Sequence, residues 1–112
     1  MDEDRTCYRV VLMTAGTAEE AAALAQSLVQ ERLAACVNIV GPIRSVYRWQ
    51  GRVEDGAEHL LIAKTQQGLV ERLAARVREL HSYQVPEVLS LPIDYGWPPY
   101  LAWLTAETAP AP

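Results

Sequence analysis

Cysteine is scarce in this chain, with two in 112 residues, Cys7 and Cys36. A small scaffold held by disulfides would carry more, and these two form no Cys-x-x-Cys pair. Both read as reduced thiols in a reducing compartment. Histidine is equally sparse, with only His59 and His81. One local histidine cannot close a four-ligand structural zinc site. Nor is there a serine or cysteine set beside a histidine and an orienting carboxylate. Gly-x-Ser-x-Gly, P-loop and Gly-x-Gly-x-x-Gly segments are all missing. No stretch approaches the ~18 apolar residues of a membrane span. The opening Met1-Asp2-Glu3-Asp4-Arg5 lacks the basic start and apolar run of a signal peptide. Basic excess is absent too: the formal net charge is -4, which disfavours phosphate backbones. The expectation is a cytoplasmic, non-enzymatic protein with neither membrane nor nucleic acid as partner.

What is present is a globular balance, 50% hydrophobic and 21% charged. The length fits a single domain over residues 1–112, with an ordered core over about 7–108. A chain of this size buries roughly two-thirds of its unfolded surface, enough for one core.

Hydrophobic periodicity gives the element order. Tyr8 to Met13 is an apolar, β-branched run suited to a central strand buried on both faces. Thr17 and Glu20 form a capping box, so a helix starts at Ala18 and runs to about Leu33 or Ala34. Cys36 to Gln50 alternates as a long strand, with a bulge or bend at Gly41-Pro42. Gln50-Gly51-Arg52 is the hairpin turn. The return strand ends in His59 to Thr65, with a kink at Asp55-Gly56. Gly68 to Leu80 is a second amphipathic helix whose apolar stripe is Leu69, Leu73, Val77 and Leu80. Val88 to Ile93 is a strand near an edge, because it contains Pro92. Pro99 opens a short helix from Tyr100 to about Thr108, followed by an Ala109-Pro112 tail. The order β-α-β-β-α-β is the ferredoxin-like plan: an α+β, four-stranded antiparallel sheet with two helices on one face, here plus a short C-terminal helix.

Chemistry-bearing residues concentrate in His81-Ser82-Tyr83-Gln84-Val85-Pro86-Glu87. Histidine, tyrosine and glutamate on one loop suit a metal ion. The same loop also reads as an ordinary helix end followed by a strand start. His59, beside Glu58, reads as a surface histidine with no role. Trp49 sits at a hairpin tip and Trp97 lies between Gly96 and Pro98. Aromatics so placed are enriched at interfaces, and the long strands offer edges for pairing. Self-association follows.

Five segments, in order, resemble the CutA family of divalent cation tolerance proteins. They are Arg32-Leu33-Ala34-Ala35-Cys36-Val37-Asn38, Ile43 to Gly51, Leu61-Ile62-Ala63-Lys64-Thr65, His81 to Glu87, and Tyr100-Leu101-Ala102-Trp103. The resemblance covers about residues 8 to 105. It implies a ferredoxin-like homotrimer whose sheet edges pair between subunits. It also implies binding of copper or another divalent metal ion in the response to metal ions. Met13 and His81 stand where some relatives carry a cysteine and a histidine, so the resemblance makes them the metal pair. A methionine–histidine pair favours copper(I). Ser82 replaces the family's proline, Gln84 its glutamate, Arg52 its lysine, and Leu80 a second histidine of some relatives. Cys36, Trp49, Lys64, Tyr83, Glu87, Tyr100 and Trp103 are the implied intersubunit cleft or ligand-binding set. Cys36 also reads as a buried strand residue. The alternative reading is a trimeric regulatory module that binds a small anionic metabolite or a partner protein, motivated by Lys64 with the aromatics Tyr83, Tyr100 and Trp103.

Overall fold

The computed structural model describes residues 7–110. The acidic opening stretch and the last two residues of the expected tail lie outside that range. Strand β1 (Tyr8–Ala15) leads to helix α1 (Ala18–Gln30), then to strands β2 (Cys36–Trp49) and β3 (Arg52–Gln66). A 3-10 turn (Gln67–Leu69) enters helix α2 (Val70–Leu80), followed by strand β4 (Val88–Pro92) and helix α3 (Pro98–Glu107). The four strands form one antiparallel sheet in the order β2-β3-β1-β4. This is the ferredoxin-like order, and β4 lies at an edge as its proline requires.

The core lies between the sheet and helices α1 and α2. Val11, Met13 and Ala15 of β1, with Leu61 and Ala63 of β3, are wholly buried there. Leu24 and Leu28 of α1 and Leu73 and Val77 of α2 complete it. β1 was expected to be buried on both faces; instead Tyr8, Arg9, Val10 and Leu12 are half-buried, Val11 is buried, and only the end of the strand, Met13 to Ala15, is buried throughout. Helices α1 and α2 cover one face only; α3 reaches the other face at one end, where Tyr8 bonds Thr105 and Gln66 bonds Thr108, both at 2.7 Å. Val10, Leu12 and Leu60 on the other face are half-buried, and Leu89 and Leu91 beside them are exposed.

Local chemistry explains the boundaries. The Thr17 hydroxyl accepts from the Glu20 N–H at 3.1 Å, which caps α1 as the sequence predicts. The helix ends at Gln30, short of the expected Leu33 or Ala34. Arg32 takes the left-handed conformation (φ 62°), and the N–H groups of Leu33 and Ala34 both turn back to the Leu28 carbonyl. α2 begins at Val70, because residues 67–69 close as a 3-10 turn. Its stripe is Leu69, Leu73 and Val77; Leu80 is exposed. α3 begins two residues before Tyr100, since Pro98 and Pro99 both fit a first turn, where the missing N–H costs nothing.

The β2–β3 hairpin is longer than β1 and projects as an arm. Pairing of β1 with β3 stops at Ala15↔His59, whereas β2 and β3 stay paired out to Trp49↔Arg52. Gln50 (φ 50°) and Gly51 (φ 79°) make the tight turn, with positive φ at both central positions. The expected irregularity at Gly41-Pro42 is present as a register shift between Val40 and Ile43, and that peptide bond is cis. The expected kink at Asp55-Gly56 is not: Val46↔Asp55 and Ser45↔Gly56 pair in register. Arg44 holds Asp55 across the arm through two hydrogen bonds of 2.9 and 2.7 Å.

Candidate functional site

The loop after α2 folds back against the end of β1. His81 caps α2, and its side chain is fully buried. Its Nε2 lies 2.7 Å from the Thr14 carbonyl, and its Nδ1 accepts the Tyr83 N–H at 3.0 Å. These partners place the ring proton on Nε2 and occupy both nitrogens. Ser82 donates to the Glu20 carboxylate twice, from its N–H at 2.7 Å and its hydroxyl at 3.0 Å. Burial raises the Glu20 carboxyl. The Ser82 bonds, with His81 nearby, outweigh it, so the group sits below its ordinary range.

Tyr83 packs on the His81 ring at 4.6 Å between centroids and reaches over Gly16. A Cβ on Gly16 would stand 3.1 Å from the phenol oxygen, so the glycine makes room for the tyrosine. The Tyr83 hydroxyl donates to Glu58 at 2.7 Å. Burial, and then the Glu58 carboxylate, raise the phenol above its ordinary range, so it remains a donor. Glu58 sits on β3 opposite Ile43, at the base of the arm, and is only 9% exposed.

Between this loop and the arm lies a groove of about 820 Å³. Tyr47, Trp49, Glu58, Tyr83, Val85 and Glu87 line it, with Arg44 at its side. Trp49, Tyr83 and Glu87 of the expected cleft set are therefore together.

Cys36, Lys64, Tyr100 and Trp103 stand elsewhere. Cys36 and Lys64 are register partners, 3.9 Å apart between sulfur and ammonium, and Lys64 also donates to Asn38. Tyr100 packs on Trp103 at 5.4 Å. Burial, and then nearby Cys36, raise the Tyr100 phenol; α3 is tied to the sheet where Thr105 bonds Tyr8 and Thr108 bonds Gln66, both at 2.7 Å. Lys64 pairs with Val10 of β1, whereas the groove touches Thr14. Four strand residues separate them, about 13 Å. Within one chain the expected cleft is thus two clusters.

The metal pair can be tested on this geometry. Met13 is wholly buried in the core beneath the helices, and both His81 nitrogens are engaged. As placed, the pair offers no accessible lone pair, and a metal ion at His81 would have to displace one of its bonds. Among the described residues, no three of histidine, cysteine, aspartate or glutamate converge to hold a metal ion. His59, expected at the surface, is half-buried over Gly41, with its Nδ1 buried and unpartnered.

Glu20 and Glu58 are the groups that sequence reasoning did not place in a site. Glu20 was read as a helix-start residue, which it is, and its partner Ser82 lies across the fold. Glu58 meets Tyr83 only because the β3 register brings it to the base of the arm. No local spacing signals either contact.

A ferredoxin-like sheet with a projecting arm and a groove at the base of that arm defines a small α+β domain. Comparison with known proteins places it further. The family profile described as CutA1 divalent ion tolerance protein matches residues 9–107, and the chain belongs to that family. It is 50% identical over 99 residues to the divalent-cation tolerance protein CutA of Thermus thermophilus, covering 88% of this chain and 96% of that one. It is 52% identical to the chloroplastic protein CutA of Arabidopsis thaliana, again over 88% of this chain, but spans only 54% of that protein. The crystal structure of CutA1 from Oryza sativa superposes with a TM-score of 0.90 at 45% identity, covering 96% of this chain and 98% of that one. Among the described residues, no helix is long and apolar enough to cross a membrane.

Proposed function

We propose that the chain works as a homotrimer in the response to divalent metal ions, and that the cation, copper among the candidates, enters the groove at the base of the arm. The charge inventory of that groove carries the reading. Arg44 is neutralised by Asp55. Glu58 has only the neutral Tyr83 hydroxyl as a partner, and Glu87 forms no ion pair among the described residues. Two carboxylates are left, and their field favours a cation over an anion. Two carboxylates from one chain do not complete a coordination shell. A neighbouring copy would supply the rest.

Assembly has independent support. Val40, Leu89 and Leu91 are 46%, 56% and 48% exposed on or beside the sheet face away from α1 and α2, and among the described residues the outer edges of β2 and β4 are unpaired. Exposed apolar faces and free edges of this kind mark association surfaces. Lys64, which forms no ion pair among the described residues, stands beside Cys36 and Asn38 at that face. It supports the second reading, in which a small anionic metabolite or a partner protein docks there. The compartment we propose is the cytoplasm.

Calorimetric titration of the metal-free protein with copper(II), copper(I) and zinc tests the cation site. Saturable binding should weaken at least tenfold in the Glu58→Gln, Glu87→Gln double variant. Equal affinity in that variant, or no binding tighter than ~100 μM (about -5.5 kcal/mol), refutes the site. Light scattering should give three times the mass of one chain.

A further inference from the structure

A second cavity, of about 640 Å³, opens where the end of α1, the 3-10 turn and the end of α3 meet. It includes Gln66, the partner of Tyr8 at the start of β1, whereas the first groove touches Thr14 near that strand's end. The two lie about 20 Å apart along the sheet.

Its electrostatics are opposite in sign. The charged residues lining it are Glu31, Arg32 and Arg72. Glu31 is paired: Arg76, which also holds Glu79 at 3.2 Å, binds its carboxylate through Nε at 2.9 Å and Nη2 at 3.0 Å. Arg32 donates only from Nη1, through two long bonds of 3.4 Å to the uncharged carbonyls of Glu107 and Ala109. Arg72 is exposed and forms no ion pair among the described residues. Two guanidinium groups thus line one cavity with no ion pair of their own among the described residues, and the one carboxylate there is held by Arg76. The left-handed turn at the end of α1 fixes the backbone that carries Arg32. Gly68 lines the same cavity, and a Cβ built on it meets nothing within 4 Å, so its backbone is open to a ligand. Leu33, Leu69 and Pro110 supply apolar wall.

We propose that this cavity binds a small phosphate-bearing anion through the Arg32 and Arg72 guanidinium groups. Guanidinium presents its donors in a planar fork that matches phosphate oxygens. The volume lies within the range of small-ligand sites. The apolar wall suits an organic body attached to the phosphate. The site does not depend on the cation reading of the first groove.

The test titrates the full chain, metal-free, with inorganic pyrophosphate and with a nucleoside diphosphate, followed by calorimetry and by the Gly68 amide signal in NMR. Saturable binding is expected, with a Gly68 shift. Affinity should fall at least tenfold in Arg72→Gln and stay unchanged in Arg78→Gln, a control on the exposed surface of the same helix. Arg72 is exposed and forms no ion pair among the described residues, so its variant folds even if an Arg32→Gln variant does not. Tighter binding of the nucleoside diphosphate identifies an organic phosphate as the ligand type; equal binding identifies the inorganic anion. Absence of saturable binding by both probes, or equal weakening in Arg72→Gln and Arg78→Gln, overturns the proposal.

Discussion

Replacing Tyr83 with phenylalanine isolates the bond that ties the 81–87 loop to the arm. The ring stays, so the packing on His81 and over Gly16 is kept. What is lost is the 2.7 Å bond to Glu58, a carboxylate only 9% exposed whose one side-chain partner among the described residues is this hydroxyl. Hydrogen bonds to charged groups contribute about 1.5–3 kcal/mol, and a buried acceptor left unpaired adds its desolvation cost. We therefore expect about 2 kcal/mol of destabilisation in urea at pH 7. The melting temperature should fall by roughly 8 °C at about 4 °C per kcal/mol. A Glu58→Gln variant completes a double-mutant cycle and should show coupling of at least ~1 kcal/mol. The pH dependence has a definite sign. The phenol is raised in the folded state, so its contribution is full below the ordinary tyrosine pKa. It is lost as pH rises above about 10, because the unfolded chain releases that proton first. A Tyr83→Phe protein within 0.5 kcal/mol of the parent, with additive single variants, would refute the reasoning.

Three further outcomes are expected. Ser82→Pro restores the family's residue but removes both donors to Glu20, and should cost about 1–2 kcal/mol at pH 7. Glu20 is lowered in the folded state, so that loss should shrink as pH falls through its folded value, which paired urea curves at pH 7 and pH 3 would show. Met13→Leu conserves volume in the buried core, so it should cost less than about 1.5 kcal/mol and leave copper affinity unchanged by calorimetry. Leu89→Glu puts a charge on the bare sheet face at a residue 56% exposed in the single chain. It should reduce the light-scattering mass to one chain while leaving the far-ultraviolet dichroism intact; an unchanged mass would place the interface elsewhere.

The sequence by itself determined the order of elements, the Thr17 cap, the bulge at Gly41-Pro42, the hairpin turn and the edge position of β4. Each depends on contacts within a few residues, or on what proline and glycine permit in any chain. Helix ends were less legible: α1 stops at Gln30 because Arg32 adopts a left-handed turn that a non-glycine residue rarely takes. Met13 shows the limit more sharply. Its place in the motif made it a ligand, but one step of strand alternation sends its side chain into the core instead of the groove. The contacts that build the site belong to tertiary structure. Tyr83 and Glu58, Ser82 and Glu20, and His81 and Thr14 are joined across 25, 62 and 67 residues of chain. The sheet register and the packing of α2 set those distances, and no local periodicity encodes them. The resemblance put Lys64 and Glu87 in one intersubunit cleft; within a single chain four residues of β1 separate their clusters, because a paired strand fixes separation along its length.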